Sequence, residues 1–231
     1  MADDTSKAES AQALFCAMAD FVGAAKVEKI FDEKLYPTYK VFKRFWDENY
    51  PTAKIGVAFK THVDSGTTNL KEIEDFLMKD DSWYISSLKI AKKLIKDLED
   101  ISNKFNTIKR PSWSSVFYVR GDKEVMDNIQ ELFKEANDDQ KKINQMLVES
   151  GQARKLLFGD INKWSPADIY FASPKAKKDI QNLVMKKQGL TFSTLNTFIA
   201  SMISTGNLLP LSLKKQTQEV KIYKVNFSRP N

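Results

Sequence analysis

Cysteine and histidine are nearly missing from this chain, with one of each in 231 residues. A single Cys16 excludes an intrachain disulfide framework and fits a reducing compartment. It falls within an apolar helical pattern, which reads as a buried, inert thiol. A single His62 excludes a multi-histidine zinc site and removes the usual basis for a Ser-His-Asp triad. It sits in the polar stretch KTHVDSGTTN, expected to be a solvated loop. Eight glycines and seven prolines are too few for a low-complexity or disordered chain. No apolar run approaches the length of a membrane span, so no membrane association is expected. Asp3 and Asp4 make the N-terminus unlike a signal peptide. Walker loops, GxGxxG and GxSxG are all missing, which removes the commonest nucleotide-binding and hydrolase signatures.

Aromatic residues are plentiful: fifteen Phe, seven Tyr and four Trp within a chain that is 42% hydrophobic, enough for a large core. The formal net charge of +6 suits an anionic partner such as DNA, and equally suits plain solubility.

Helical periodicity dominates the first two thirds. Ala8, Ala11, Leu14, Phe15, Met18, Ala19 and Val22 recur at helical spacing and predict a helix over 6–31, with Gly23 as a break. The run 34–50 predicts a second helix, sharing Tyr39, Phe42, Phe45 and Trp46 on one face and ending at Pro51. IGVAF (55–59) reads as a short extended piece. Thr68 or Asn69 is placed to cap a helix over 70–80. The next helix carries Trp83, Ser87, Ile90, Leu94, Leu98 and Ile101 on its apolar stripe, with Lys89, Lys92, Lys93 and Lys96 largely off it. SVFYV reads as a strand, and 123–149 as a polar amphipathic helix.

The last third changes character. KLLFGD and PADIYFAS read as strands around a GDINKWS turn. Pro174 opens a helix that Gly189 closes, and Thr191 caps another that ends at Gly206. NLLPLSLKK and VKIYKVNF read as further strands. The fold class expected is α+β, mostly helical, with a small mixed β-sheet in the C-terminal third. The expected organisation is a mainly helical portion over 1–150 and an α/β portion over 151–231.

Alternation in PADIY sets Ala167, Ile169 and Phe171 on one face and Asp168 with Tyr170 on the other. In PLSLKK, Ser212 and Lys214 oppose Leu211 and Leu213. Pairing of these strands would bring Asp168 and Lys214 together on a polar face. A carboxylate there could hold a hard cation, and a lysine could stabilise charge on a phosphate. The alternative is a simple salt bridge.

PAD followed, after a helical insert, by Ser-Leu-Lys resembles the core of the PD-(D/E)XK restriction-endonuclease-like superfamily. The wider pattern, Trp-Ser-Pro-Ala-Asp-Ile with Ser-Leu-Lys-Lys, is similar to bacteriophage proteins of that type. The resemblance covers 155–227 and extends to the first helix. It implies Mg²⁺ or Mn²⁺ at Asp168, with Lys214 as the catalytic lysine and Glu9 as the helix-borne acid. Ser212 stands where the motif has its second acid, so Asp160 is the candidate replacement ligand. Lys175, Lys177, Lys178, Lys186, Lys187 and Lys215 flank this segment as candidate DNA contacts. Trp164 would stack on a base or, alternatively, plug into the core.

The function expected is a metal-dependent nuclease-like activity on DNA. The alternative is a non-enzymatic phage structural or host-takeover protein that binds a protein partner or DNA, with homo-oligomers admitted. The expected location is the host cytoplasm or the phage particle.

Overall fold

A computed structural model describes residues 4–63, 68–96, 117–118, 123–165, 167–186, 189–212, 215 and 220. Helix α1 (Asp4–Val22) runs through the middle of the N-terminal half. Ala8, Ala11, Leu14, Phe15, Met18 and Ala19 are all buried, and so are Ala13, Cys16 and Ala17 between them. Every residue from Ser10 to Ala19 is buried, the polar Ser10 and Gln12 among them, so this stretch of the helix lies inside the core. Gly23 ends it at φ 77°, a backbone state that side chains with a Cβ resist. The expected 6–31 helix is therefore two elements, with α2 spanning Ala24–Ile30.

Helix α3 (Tyr39–Asn49) starts only after Pro37, where Thr38 accepts a hydrogen bond from the Val41 N–H. It brings Phe42 against Phe15 and Trp46 against Phe42 and Phe59, and Phe15 also meets Phe31 and Tyr84 with ring centroids 6.0 and 5.7 Å apart. Each such ring, fully buried, contributes about 1.5–3 kcal/mol. Trp46 donates its indole N–H to the Ala53 carbonyl at 2.7 Å, so its polar atom is satisfied inside.

IGVAF is not extended: α4 (Ile55–Ala58) and α5 (Lys60–Val63) are single helical turns. Short apolar runs fit a strand or a buried helical turn equally well, and here a turn satisfies its own backbone. His62 accordingly lies in a helical turn rather than in a loop. Helix α6 (Leu70–Lys79) begins at the expected Asn69, with a reciprocal capping box to Glu72.

Helix α7 (Asp81–Lys96) packs along α1. Its centre is Tyr84, Leu88, Ala91 and Ile95, and the expected stripe residue Trp83 sits at the margin, only partly buried. Leu98 and Ile101 lie outside the described residues. Lys89 and Lys96 pair with Glu33 and Glu28 at 3.4 and 2.8 Å, so part of this lysine face is matched by acids from the α2 region.

Within SVFYV the described strand is β1 (Phe117–Tyr118). The long α8 (Lys123–Glu149) buries Val125, Ile129, Leu132 and Ala136, then Gln140 and Asn144 along the same face. KLLFGD forms no strand. The Asn144 amide takes both backbone groups of Lys155 instead: Nδ2 donates to the carbonyl at 2.9 Å and Oδ1 accepts the N–H at 2.8 Å. The GDINKWS stretch holds a one-turn helix, α9 (Ile161–Trp164).

Strands β2 (Ile169–Ala172) and β3 (Leu208–Leu211) enclose α10 (Pro174–Lys186) and α11 (Phe192–Ser204) in sequence. Pro174 opens α10, Thr191 caps α11, and Gly206 adopts φ 70° after its end. β2 is central in the order β1-β2-β3, and both pairings are antiparallel. This is an α+β fold, mostly helical, with a small sheet. VKIYKVNF lies outside the described residues after Val220.

Two hydrophobic cores flank the sheet. Phe171 and Leu209 point into the core built on α1, whereas Tyr170, Ala172 and Leu208 point into a second core with α8, α10 and α11. Helix α8 thus packs with α10 and α11, both beyond residue 150, so the division between cores falls earlier in the chain than the boundary expected there.

Complete burial, with Asp20 adding to it, pushes the Cys16 thiol up to about 12. Almost no thiolate then exists near neutral pH. Native protein at pH 8 is expected not to react with a thiol-exchange chromophore, and to release one equivalent once unfolded in guanidinium. Rapid reaction of the native protein would contradict this packing.

Candidate functional site

The β2–β3 ladder carries one residue beyond its paired strands. The Asp168 N–H donates to the Leu211 carbonyl at 2.8 Å, one step past the Ile169–Leu211 pair. That register sets positions 168 and 212 side by side at the open end of the sheet. The Ser212 hydroxyl donates to Asp168 Oδ2 at 3.2 Å. Asp168 is half-buried and Ser212 exposed. Lys214 lies outside the described residues.

The polar face expected around Asp168 is absent along β2. Tyr170 and Ala172 are buried in the second core, and Ala167 packs there too, not with Phe171. Period-two alternation begins only at Ile169, where β2 begins, so it does not reach Ala167 and Asp168. Polar groups gather instead at the strand's entry. Ser165 and Tyr170 share a buried hydroxyl–hydroxyl hydrogen bond of 2.8 Å. Burial pushes the Tyr170 hydroxyl above its usual range; the Ser165 bond opposes that, and the Asp168 charge reinforces it. Tyr170 therefore stays a neutral hydrogen-bonding phenol and is too buried to stack on a base.

Trp164 lies 6% exposed between Phe133 and Phe192, and its indole N–H donates to Asn196 Oδ1 at 2.8 Å. It plugs the core, so the base-stacking role expected of it is corrected. Asn196 and Ser165 escaped sequence reasoning. The available signal for Asn196 was an amide one helical turn after Phe192, beside the buried spacing Phe192, Leu195 and Ile199.

Asp160 caps α9, accepting the Lys163 N–H at 3.1 Å, with the Lys163 ammonium 3.8 Å away. Glu9 is half-buried on α1. Among the described residues, no group of three or more His, Cys, Asp or Glu side chains could hold a metal ion. Magnesium requires a near-octahedral set of oxygens. The described donors at the sheet end are one carboxylate and the hydroxyl already bonded to it, which do not fit that requirement.

The basic cluster divides. Lys175 pairs with Asp179 at 2.6 Å, and Lys177 is half-buried. Lys178 and Lys186 are exposed on α10 and form no ion pair among the described residues. Lys187 lies outside them. Lys215 is engaged with the first half of the molecule, 3.7 Å from Asp80 and 4.6 Å above the Trp83 ring. Asp80 also accepts hydrogen bonds from the Ser82 hydroxyl and N–H; the hydroxyl bond above all holds its carboxyl below the usual range, against burial, which raises it, with the Ser82 N–H and the Lys215 charge adding to the lowering.

The site thus belongs to an α+β scaffold whose central strand is covered on both faces, with polar groups at one end. The chain matches no protein-family model, no curated protein and no solved structure. No described helix is long and apolar enough to cross a membrane.

Trp164→Phe keeps an aromatic ring but removes the indole N–H and leaves the Asn196 carbonyl without that donor. The expected loss is about 1–3 kcal/mol in urea unfolding, with unchanged binding to single-stranded DNA. A large loss of DNA binding without a loss of stability would restore the stacking role.

Proposed function

We propose that this chain is a non-catalytic binding protein built on a nuclease-like strand pair, of the phage structural or host-takeover kind. The observation that carries the reading is the Ser212 hydroxyl on the Asp168 carboxylate. At the position where the motif needs a second acid stands a neutral donor, and it turns the remaining acid into a strand fastener. The capping role of Asp160 supports the same reading, since that carboxylate already serves a local hydrogen bond. A protein partner is favoured over DNA by the engagement of Lys175 and Lys215 in ion pairs.

A metal-dependent nuclease acting on DNA is the second reading. It draws support from one geometric fact: residues 168 and 212 are cross-strand neighbours, as paired metal-binding acids would be.

Calorimetric titration of Mn²⁺ separates the two. The non-catalytic reading expects no binding heat from the wild-type protein or Asp168→Asn. It also expects Ser212→Asp, which sets two carboxylates together, to create a measurable Mn²⁺ site. Heat in the wild type that vanishes in Asp168→Asn, with Mn²⁺-dependent DNA cleavage, would overturn it in favour of the nuclease.

A further inference from the structure

Among the described residues, Leu156 is the most exposed large apolar side chain. After α8 the chain turns at Gly151, where φ is 76° and the Gln152 N–H donates to the Leu147 carbonyl at 2.7 Å. It then doubles back along the helix. The Asn144 amide, 5% exposed, holds Lys155 by both of its backbone groups. Phe158 anchors the far end against Phe192, with ring centroids 4.9 Å apart. From the turn at Gly151 up to Leu157 every residue is exposed. Leu156 is 72% exposed and Leu157 39%, while Met146 and Val148 stand exposed on the last turns of α8.

Exposed leucines on a segment fixed by a buried amide are unlike a solvated loop, which is ordinarily polar. Among the described residues, the backbone groups of Ala153, Leu156 and Leu157 make no hydrogen bond, and the side chains of Arg154 and Lys155 make no ion pair. From Ser150 to Phe158 the chain carries these two cations and no acid.

We propose that the segment 153–157 is a docking strip for an acidic, apolar peptide of a partner protein. Its leucines cover Leu156 and Leu157, its carboxylates meet Arg154 and Lys155, and its backbone pairs with the open backbone groups of the strip. Charge selects this occupant over a second copy of the chain. A two-fold pairing of the strip with itself would set Arg154 and Lys155 against their own copies. The inference rests on the non-catalytic reading and supplies the chemistry of its partner.

The test is fluorescence anisotropy of a labelled peptide alternating leucine with glutamate, added to the full chain. Saturable binding is expected. Leu156→Ser with Leu157→Ser is expected to weaken it about tenfold or more, and Arg154→Glu with Lys155→Glu to abolish it. These exposed positions leave the thermal melt unchanged. A peptide alternating leucine with lysine should not bind. No binding, binding that ignores these substitutions, or equal binding of the lysine peptide would overturn the proposal. So would duplex DNA competing through Arg154 and Lys155, or a dimer in sedimentation that the leucine substitutions abolish. Mn²⁺-dependent cleavage through Asp168 would remove the non-catalytic reading while leaving the peptide result to stand or fall alone.

Discussion

Burial of α1 by α2, α5, α6 and α7 is the constraint on which the N-terminal half depends. From Ser10 to Ala19 this helix is buried on every side, and its mainly apolar residues are kept from water only because the chain wraps them. The small side chains Ala11, Ala13, Ala17 and Ala19 let the neighbouring helices come close, and Phe15 fills the gap that remains with a nest of aromatic rings. Gly23 matters because a continuous helix past Val22 would carry the chain away from this centre, whereas its positive φ turns α2 back toward α7.

The sheet transmits that constraint to the second half. β2 is covered on both faces, by the α1 core through Phe171 and by the α8–α11 core through Tyr170 and Ala172. A strand so placed has no face left for solvent or substrate. The described end of the strand presents Asp168 fastened by Ser212. The Lys215 ammonium, held by Asp80 and the Trp83 ring, ties the chain beyond β3 to the α6–α7 corner. Both halves are thus linked through β2 and β3 and again just after them.

Local signals were legible and non-local ones were not. Gly23, Asn69, Pro174, Thr191 and Gly206 each act on backbone within a turn of themselves, and each was readable from its neighbours. IGVAF and KLLFGD misled because a short apolar run states burial without stating geometry. One became a helical turn, and the other was held at Lys155 by an amide eleven residues away. At the candidate site, the pairing of the two strands was readable, but the partner expected for Asp168 was Lys214, which lies outside the described residues, and the described contact is with Ser212. The cover over Tyr170 was not readable, since period two separates two faces without saying what lies against either. Trp164 and Asn196 meet across 32 residues, with β2 and α10 between them in the chain, a contact that no local pattern encodes.

The central claim is that a sheet buried on both faces joins the two cores into one cooperative unit. Trp46 reports the first core and Trp164 the second. The most direct measurement is equilibrium urea unfolding of two variants, one with Trp46 and the other with Trp164 as its sole tryptophan. Within each variant, fluorescence and far-UV circular dichroism transitions that coincide in midpoint and slope are the predicted result. Fluorescence and circular dichroism midpoints that separate within either variant would contradict the account and make the halves independent folding units.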